Sequence, residues 1–164
     1  MKILHISDLH LGKSISTYSL IKEQEYALGQ IIKTIKEKEV ELLIIAGDIF
    51  DTSIPNWQAL KLYSNFLEEL IFNIGIKVIA ISGNHDSSKR LDINGKFFNS
   101  NNYYLISEYS HDPIVLEDDF GKINFYPIPF ISINKANTIF DRDFKDYTDL
   151  YACLLYTSDA ADDT

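Results

Sequence analysis

Three short polar clusters carry residue types that bind metal ions and move protons. Residues 7–12 read SDLHLG and offer Asp8 and His10. Residues 47–51 read GDIFD and offer Asp48 and Asp51. Residues 83–86 read GNHD and offer Asn84, His85 and Asp86. In a loop leaving a strand, the carboxylate of Asp8 and the imidazole of His10 can turn toward one ion. Asp48 has two oxygens, enough to bridge two ions, and Asn84 supplies a neutral amide oxygen. Oxygen and imidazole donors without a thiolate suit manganese, iron or zinc. Paired ions about 3.5–4 Å apart clamp the attacking and leaving oxygens of an in-line displacement. Metal-bound water also loses its proton near neutral pH. The expected metal set is Asp8, His10, Asp48 and Asn84, holding two divalent ions. His85 is placed to protonate a leaving oxygen or stabilise charge. Asp86 is expected to hold its ring in one tautomer, as carboxylate–imidazole pairs do, so His85 and Asp86 form the expected catalytic pair.

Each residue also has a plainer reading. Asp51 serves as a turn former or N-cap almost as readily as it orients loop groups or a ligand. An isolated Asn-His pair in a loop is most often solvated. His5, inside the first strand, is expected to be a packed core residue, and His111 sits in a polar loop with no assigned role. Tyr103, Tyr104, Phe125, Tyr126 and Phe130 read as core and edge-strand packing before they read as a base-stacking platform. DxH alone is weak evidence, and GDxxD alone is moderate. The weight lies in their order and spacing with GNHD.

That spacing is set by the elements between the clusters. Residues 42–46, LLIIA, form a short unbroken apolar run, which predicts a strand buried on both faces. Gly47 allows a sharp turn where it stops, and Asp48 then stands at the carboxyl end, where open α/β sheets place ligands. Residues 2–7 and 77–82 read as two more strands. Residues 19–39 carry Leu20, Ile21, Leu28, Ile31, Ile32 and Ile35 at helical spacing. Residues 57–73 carry Leu60, Tyr63, Leu67, Leu70 and Ile71 likewise, with Asn56 as N-cap and Gly75 as terminator. Strand–helix–strand–helix–strand implies βαβ units and a parallel sheet. Asp8 to Asp48 is 40 residues and Asp48 to Asn84 is 36, one crossover each. Right-handed crossovers of this kind bring all three clusters to one edge of the sheet.

Beyond Arg90 the pattern changes. A helical turn is expected within residues 95–102. Strands are expected at 103–107, 113–117 and 122–126, the last two forming a hairpin. A weakly signalled helix falls late in residues 134–152. At 164 residues and 46% hydrophobic, the chain can bury one good core. The net charge of −9 is unlike that of a stand-alone nucleic-acid binder, which is usually basic. No stretch reaches membrane-spanning length, the start is too short in apolar residues for a signal peptide, and the single cysteine, Cys153, cannot form an internal disulfide. A reducing cytoplasm is the expected setting.

With these residues in place, the sequence resembles the calcineurin-like metallophosphoesterases. LHISDLHLGKS, IIAGDIFDTSIPNWQALKLYSNFLEEL, ISGNHDS and PIPF are similar to the nuclease subunits of bacterial DNA repair complexes within that superfamily. The resemblance runs from Met1 to about Phe130 and thins after Arg90. It implies an α/β fold, a β-sandwich of mixed sheets flanked by helices, of which this chain holds about the first half of the domain. It also implies a manganese-dependent nuclease, acting as a double-strand 3′–5′ exonuclease and a single-strand endonuclease. Its partners would be DNA, a large coiled-coil ATPase subunit and a second copy of itself in a homodimer. Carried over, Asp8 and His10 bind one ion, Asp48 bridges both, Asn84 binds the second, and His85 aids catalysis. The metals and the partner would then supply the positive charge that phosphates need.

The departures matter equally. The family's later GH and GHxH motifs, which hold the remaining ligands, do not occur, and past His85 the only histidine is His111. The chain is therefore expected to bind metal weakly and to turn over little or nothing by itself. Other phosphoesterases of the superfamily, or a binding domain that has lost catalysis, are the competing readings. Residues 1–152 are read as the N-terminal part of the nuclease domain. Residues 153–162, CLLYTSDAAD, resemble one reading frame of a transposase adapter used in sequencing libraries. Residues 153–164 are accordingly expected to be a non-native tail and are set aside from fold reasoning.

Overall fold

A computed structural model describes residues 1–87 and 102–159. The elements in order are β1 (Ile3–Ile6), β2 (Ser14–Ile15), β3 (Tyr18–Ser19), α1 (Ile21–Lys38), β4 (Leu42–Ala46), α2 (Trp57–Glu68) with a π-helical continuation over Glu69–Ile74, β5 (Lys77–Ile81), β6 (Tyr103–Ile106), β7 (Ile114–Asp118), β8 (Gly121–Phe125), α3 (Ile133–Phe140) and α4 (Tyr147–Asp159). The helical turn expected within residues 95–102 falls almost wholly outside the described residues.

Strands β1, β4, β5 and β6 form one parallel sheet in that order. Each new strand adds on the same side, so right-handed crossovers put α1 and α2 on the same face. That face holds the main core. Leu43, Ile45, Val78 and Ala80 point into it and meet Leu28 and Ile35 of α1 and Ala59, Tyr63, Phe66 and Leu67 of α2. Burying each large aliphatic side chain contributes roughly 1.5–3 kcal/mol. The register alternates strictly, so Leu42, Ile44 and Ile79 face the other way. There they meet Leu116, Ile114 and Phe125 of the antiparallel hairpin β7–β8. The result is an α/β arrangement, with helices on one side of the sheet and a second small sheet on the other.

The helix signals hold in detail. The Asn56 side chain accepts a bond of 2.9 Å from Ala59 N–H and starts α2. Gly75, with φ 86°, ends the π-helical stretch. The first helix begins two residues later than its apolar pattern suggests, because Tyr18 and Ser19 pair with Ser14 and Ile15 in a small hairpin.

One expectation needs revision. His5 is exposed rather than packed. Strand β1 lies at the edge of the sheet, and the β7–β8 hairpin does not reach over its outer face, where Ile3 is also 45% exposed. The helix expected late in residues 134–152 is α4, and α3 precedes it in the same stretch. They enclose a small second core of Ile131, Ala136, Phe144, Leu150 and Leu154. Leu154 belongs to the segment set aside above, yet it is 1% exposed and takes part in this packing.

Candidate metal centre

The three clusters do converge at the carboxyl edge of the sheet. The loop after β1 runs alongside the loop after β4, joined by backbone bonds from Asp8 N–H to Gly47 O, His10 N–H to Asp48 O and Leu11 N–H to Ile49 O. Asp8, His10 and Asp48 all have positive φ, at 57°, 44° and 49°. Non-glycine residues in that region each cost about 1–3 kcal/mol and persist only where surrounding contacts fix them. Here the cross-loop bonds do so.

The side chains then gather. His10 Nε2 lies 3.8 Å from Asp8 Oδ1 and 3.9 Å from Asp48 Oδ2. Those spans are too long for hydrogen bonds. They match donors that share one ion, because bonds of about 2.0–2.2 Å separate neighbouring ligand atoms by roughly 3–4 Å. Asp8 keeps Oδ1 on this side because Ser7 Oγ donates to its Oδ2. His10 Nδ1 is buried without a hydrogen-bond partner, 3.4 Å from Asp51 Oδ1. Asp51 thus joins a second group with His10 and His85, all within 4.8 Å of one another. The two groups share His10. Three carboxylates stand close, and among the described residues Lys13, 3.6 Å from Asp51 Oδ1, is the only lysine or arginine paired with them. The donor set and its charge fit a divalent cation. Asp8, His10 and Asp48 would hold it and supply anionic oxygen and imidazole ligands.

The third loop closes over the second. His85 N–H donates 3.0 Å to Asp48 Oδ1. Gly83 lies so near Asp48 that an added Cβ would overlap its backbone nitrogen and carboxylate. Asn84 sits between these two contacts and is exposed. The His85 ring meets the His10 ring edge to face, with centroids 4.9 Å apart. Its Nδ1 lies 3.0 Å from the carbonyl oxygen of Asp51. A carbonyl has no proton to give, so in a hydrogen bond here Nδ1 is the donor.

The role expected for Asp86 is corrected. Its carboxylate accepts three backbone bonds, from Ile49 N–H (3.1 Å), Phe50 N–H (3.0 Å) and Gly83 N–H (2.9 Å). Those bonds staple the third loop to the second, while the Asp51 carbonyl takes the His85 ring. Proximity in sequence made Asp86 the obvious partner for His85, but the tight turn directs its oxygens at amides.

Sequence reasoning missed Gln24. On α1 it occupies the stripe of Ile21, Leu28, Ile31 and Ile35, so a polar residue on an apolar face was the available signal. Its amide reaches past the core to the His10 loop. A cavity of about 310 Å³ lies elsewhere, lined by Phe50, Trp57, Leu60, Tyr63, Tyr103 and Leu105 among others, and carries none of the clustered carboxylates. No helix among the described residues is long and apolar enough to cross a membrane.

The chain is similar to known proteins over most of its length. The chain is 35% identical over 143 residues to the SbcD subunit of the SbcCD nuclease of Staphylococcus saprophyticus, covering 86% of this chain and 37% of that protein. It is 34% identical over 166 residues to the protein of the same name from Staphylococcus epidermidis, covering 99% of this chain and 43% of that one. The chain thus spans about two fifths of these relatives' length. The profile of the calcineurin-like phosphoesterases matches residues 1–159. With its three loops gathered on one sheet edge, the chain belongs to the calcineurin-like phosphoesterase family.

Proposed function

We propose that this chain is the N-terminal part of the metal-dependent nuclease subunit of an SbcC–SbcD-type DNA repair complex, working in the cytoplasm. The observation that carries the reading is the placement of His10 Nε2 between the Asp8 and Asp48 carboxylates, with Asp48 also accepting from the His85 loop. The two staphylococcal SbcD relatives support it. In this reading Asp8 and His10 would hold one ion, Asp48 would serve both, and Asn84 would hold the second. Manganese is the favoured metal. Such ions, when bound, would polarise a phosphodiester and lower the pKa of a bound water.

The chain's own groups do the rest. Asp48 offers one oxygen to the His10 side and fixes the His85 backbone with the other. His85, with its Nδ1 side facing the Asp51 carbonyl, delivers a proton from Nε2 to the leaving oxygen or stabilises charge there. The full-length parent would cut double-stranded DNA from 3′ ends and single strands internally, with an SbcC-like ATPase subunit and a second copy of itself. The chain itself, residues 1–152 followed by an adapter-derived tail at 153–164, binds manganese weakly and turns over little.

The test uses the full-length parent protein with manganese. DNA cleavage that exceeds hydrolysis of para-nitrophenyl phosphate, and that is lost in Asp48→Asn, supports the proposal. Phosphomonoesterase activity without DNA cleavage overturns it. Titration calorimetry of the chain with MnCl2 should show weak binding, and nanomolar affinity for two ions contradicts the expectation for the chain.

A further inference from the structure

We propose that Gln24 is a positioning residue of the metal centre, holding His10 in the backbone conformation that aims its imidazole at Asp8 and Asp48. The inference rests on the metal-centre reading above and adds to it a group from outside the three loops.

Gln24 lies in the opening stretch of α1, with its own N–H bonded to Leu20 O. Its side chain makes three contacts with the loop after β1. Nε2 donates to His10 O at 2.6 Å and to Leu9 O at 3.3 Å, while Oε1 accepts from Gly12 N–H at 3.0 Å. The carboxamide satisfies two carbonyls and one amide in only one orientation, so both of its ends are committed. No other residue type of this length offers two donors and an acceptor in that plane.

His10 needs such support. Its φ of 44° is costly for a residue with a Cβ. A loop held only by β4-side bonds would be fixed along one flank. Gln24 adds bonds to the Leu9 and His10 carbonyls and to Gly12 N–H, and Gly12 itself packs against α2, where an added Cβ would stand 3.0 Å from Ala59 Cβ. Position 24 also lies on the apolar stripe of α1, where a polar side chain departs from the pattern. Core packing therefore gives no reason for glutamine, and the loop does.

The experiment compares wild type, Gln24→Leu, Gln24→Glu and the control Gln30→Leu. Gln30 is exposed on the same helix. Each is titrated with MnCl2, followed by the electron paramagnetic resonance of free Mn²⁺. Each is also compared metal-free by NMR of the His10 ring nitrogens and by thermal unfolding. Loss of an outer group that orients a ligand typically costs 10–100-fold in metal affinity. Gln24→Leu should therefore bind Mn²⁺ at least tenfold more weakly, and its metal-free His10 ring signals should move. Gln30→Leu should match wild type in both.

Equal affinity within twofold, with unmoved His10 signals in a folded Gln24→Leu, overturns the proposal. Should Gln24→Leu not fold, Gln24→Glu decides. It keeps the acceptor for Gly12 N–H but sets a carboxylate against two carbonyls, so it should show the same losses, and wild-type behaviour there overturns the proposal too. If even wild type binds no Mn²⁺, the metal-centre reading has failed. The ring signals then decide on Gln24 alone: moved supports it, unmoved overturns it.

Discussion

Replacing Gly83 by alanine tests whether the third loop must touch Asp48 for the site to exist. Gly83 does not have a positive φ, so the substitution adds no backbone strain. Its cost is steric. A Cβ there would overlap Asp48 N and Oδ1 and stand 2.7 Å from Asp48 Cγ, where ordinary contact begins at 3.4 Å. The shortfall at Cγ is at least about 0.7 Å. A rotating side chain could relieve the carboxylate overlap, but Asp48 N is backbone and tied into the β4 loop. One loop must therefore shift by about an ångström to clear Asp48 N. Overpacking of this kind costs about 1–3 kcal/mol, which lowers the thermal midpoint of a chain this size by roughly 2–12 °C. Metal sites require their ligands within about 0.5 Å of the productive geometry, so Mn²⁺ affinity should fall by at least about tenfold, the lower end of the range for disturbed metal surroundings. Thermal unfolding with and without MnCl2 measures both effects. Gly29→Ala is the control, since nothing lies within 4 Å of its Cβ position. It should gain about 0.5–1 kcal/mol from helix propensity and leave metal binding unchanged. A Gly83→Ala protein as stable as wild type, with the same response to manganese, would refute the packing argument.

Three further outcomes follow from the same geometry. Asp48→Asn keeps an acceptor for His85 N–H, and asparagine tolerates positive φ. The metal-free midpoint should hold or rise as like-charge crowding eases, while stabilisation by MnCl2 disappears; retained stabilisation would remove Asp48 from the ligand set. Asp86→Ala leaves the amides of Ile49, Phe50 and Gly83 without their acceptor. Bonds to a charged acceptor contribute about 1.5–3 kcal/mol each and are not additive, so a loss of about 3–5 kcal/mol in urea denaturation is expected, and a loss under 1 kcal/mol would contradict the staple role. The Met1 ammonium lies 2.5 Å from Asp118. Its bond to Asp118 raises the ammonium pKa, and the same bond holds the Asp118 carboxyl below its ordinary value. The stabilisation should fade as pH falls through the lowered carboxyl pKa, and again as pH rises above 8 through the raised ammonium pKa. Asp118→Asn should flatten both limbs of a stability–pH profile, and identical profiles would exclude the pair.

The parallel strands, the two crossover helices and the edge where the three polar clusters emerge can all be read from the order of residues. They follow from local properties: apolar runs of strand length, helical spacing, a cap at Asn56, a stop at Gly75, and crossover lengths that chirality folds one way. The meeting of Asp8, His10 and Asp48 was legible for that reason. Periodicity reports which face a residue occupies, however, and not what stands opposite it. It took the folded chain to show that Asp86 staples backbone amides while the Asp51 carbonyl takes the His85 ring. The same holds for the reach of Gln24 to the His10 loop, since that contact joins elements fourteen residues apart. His5 looked like core because its strand is apolar, but strand order put β1 at the edge and left that face uncovered. Local chemistry wrote the elements, and the opposition of loops, which no single stretch encodes, set the partners of each side chain.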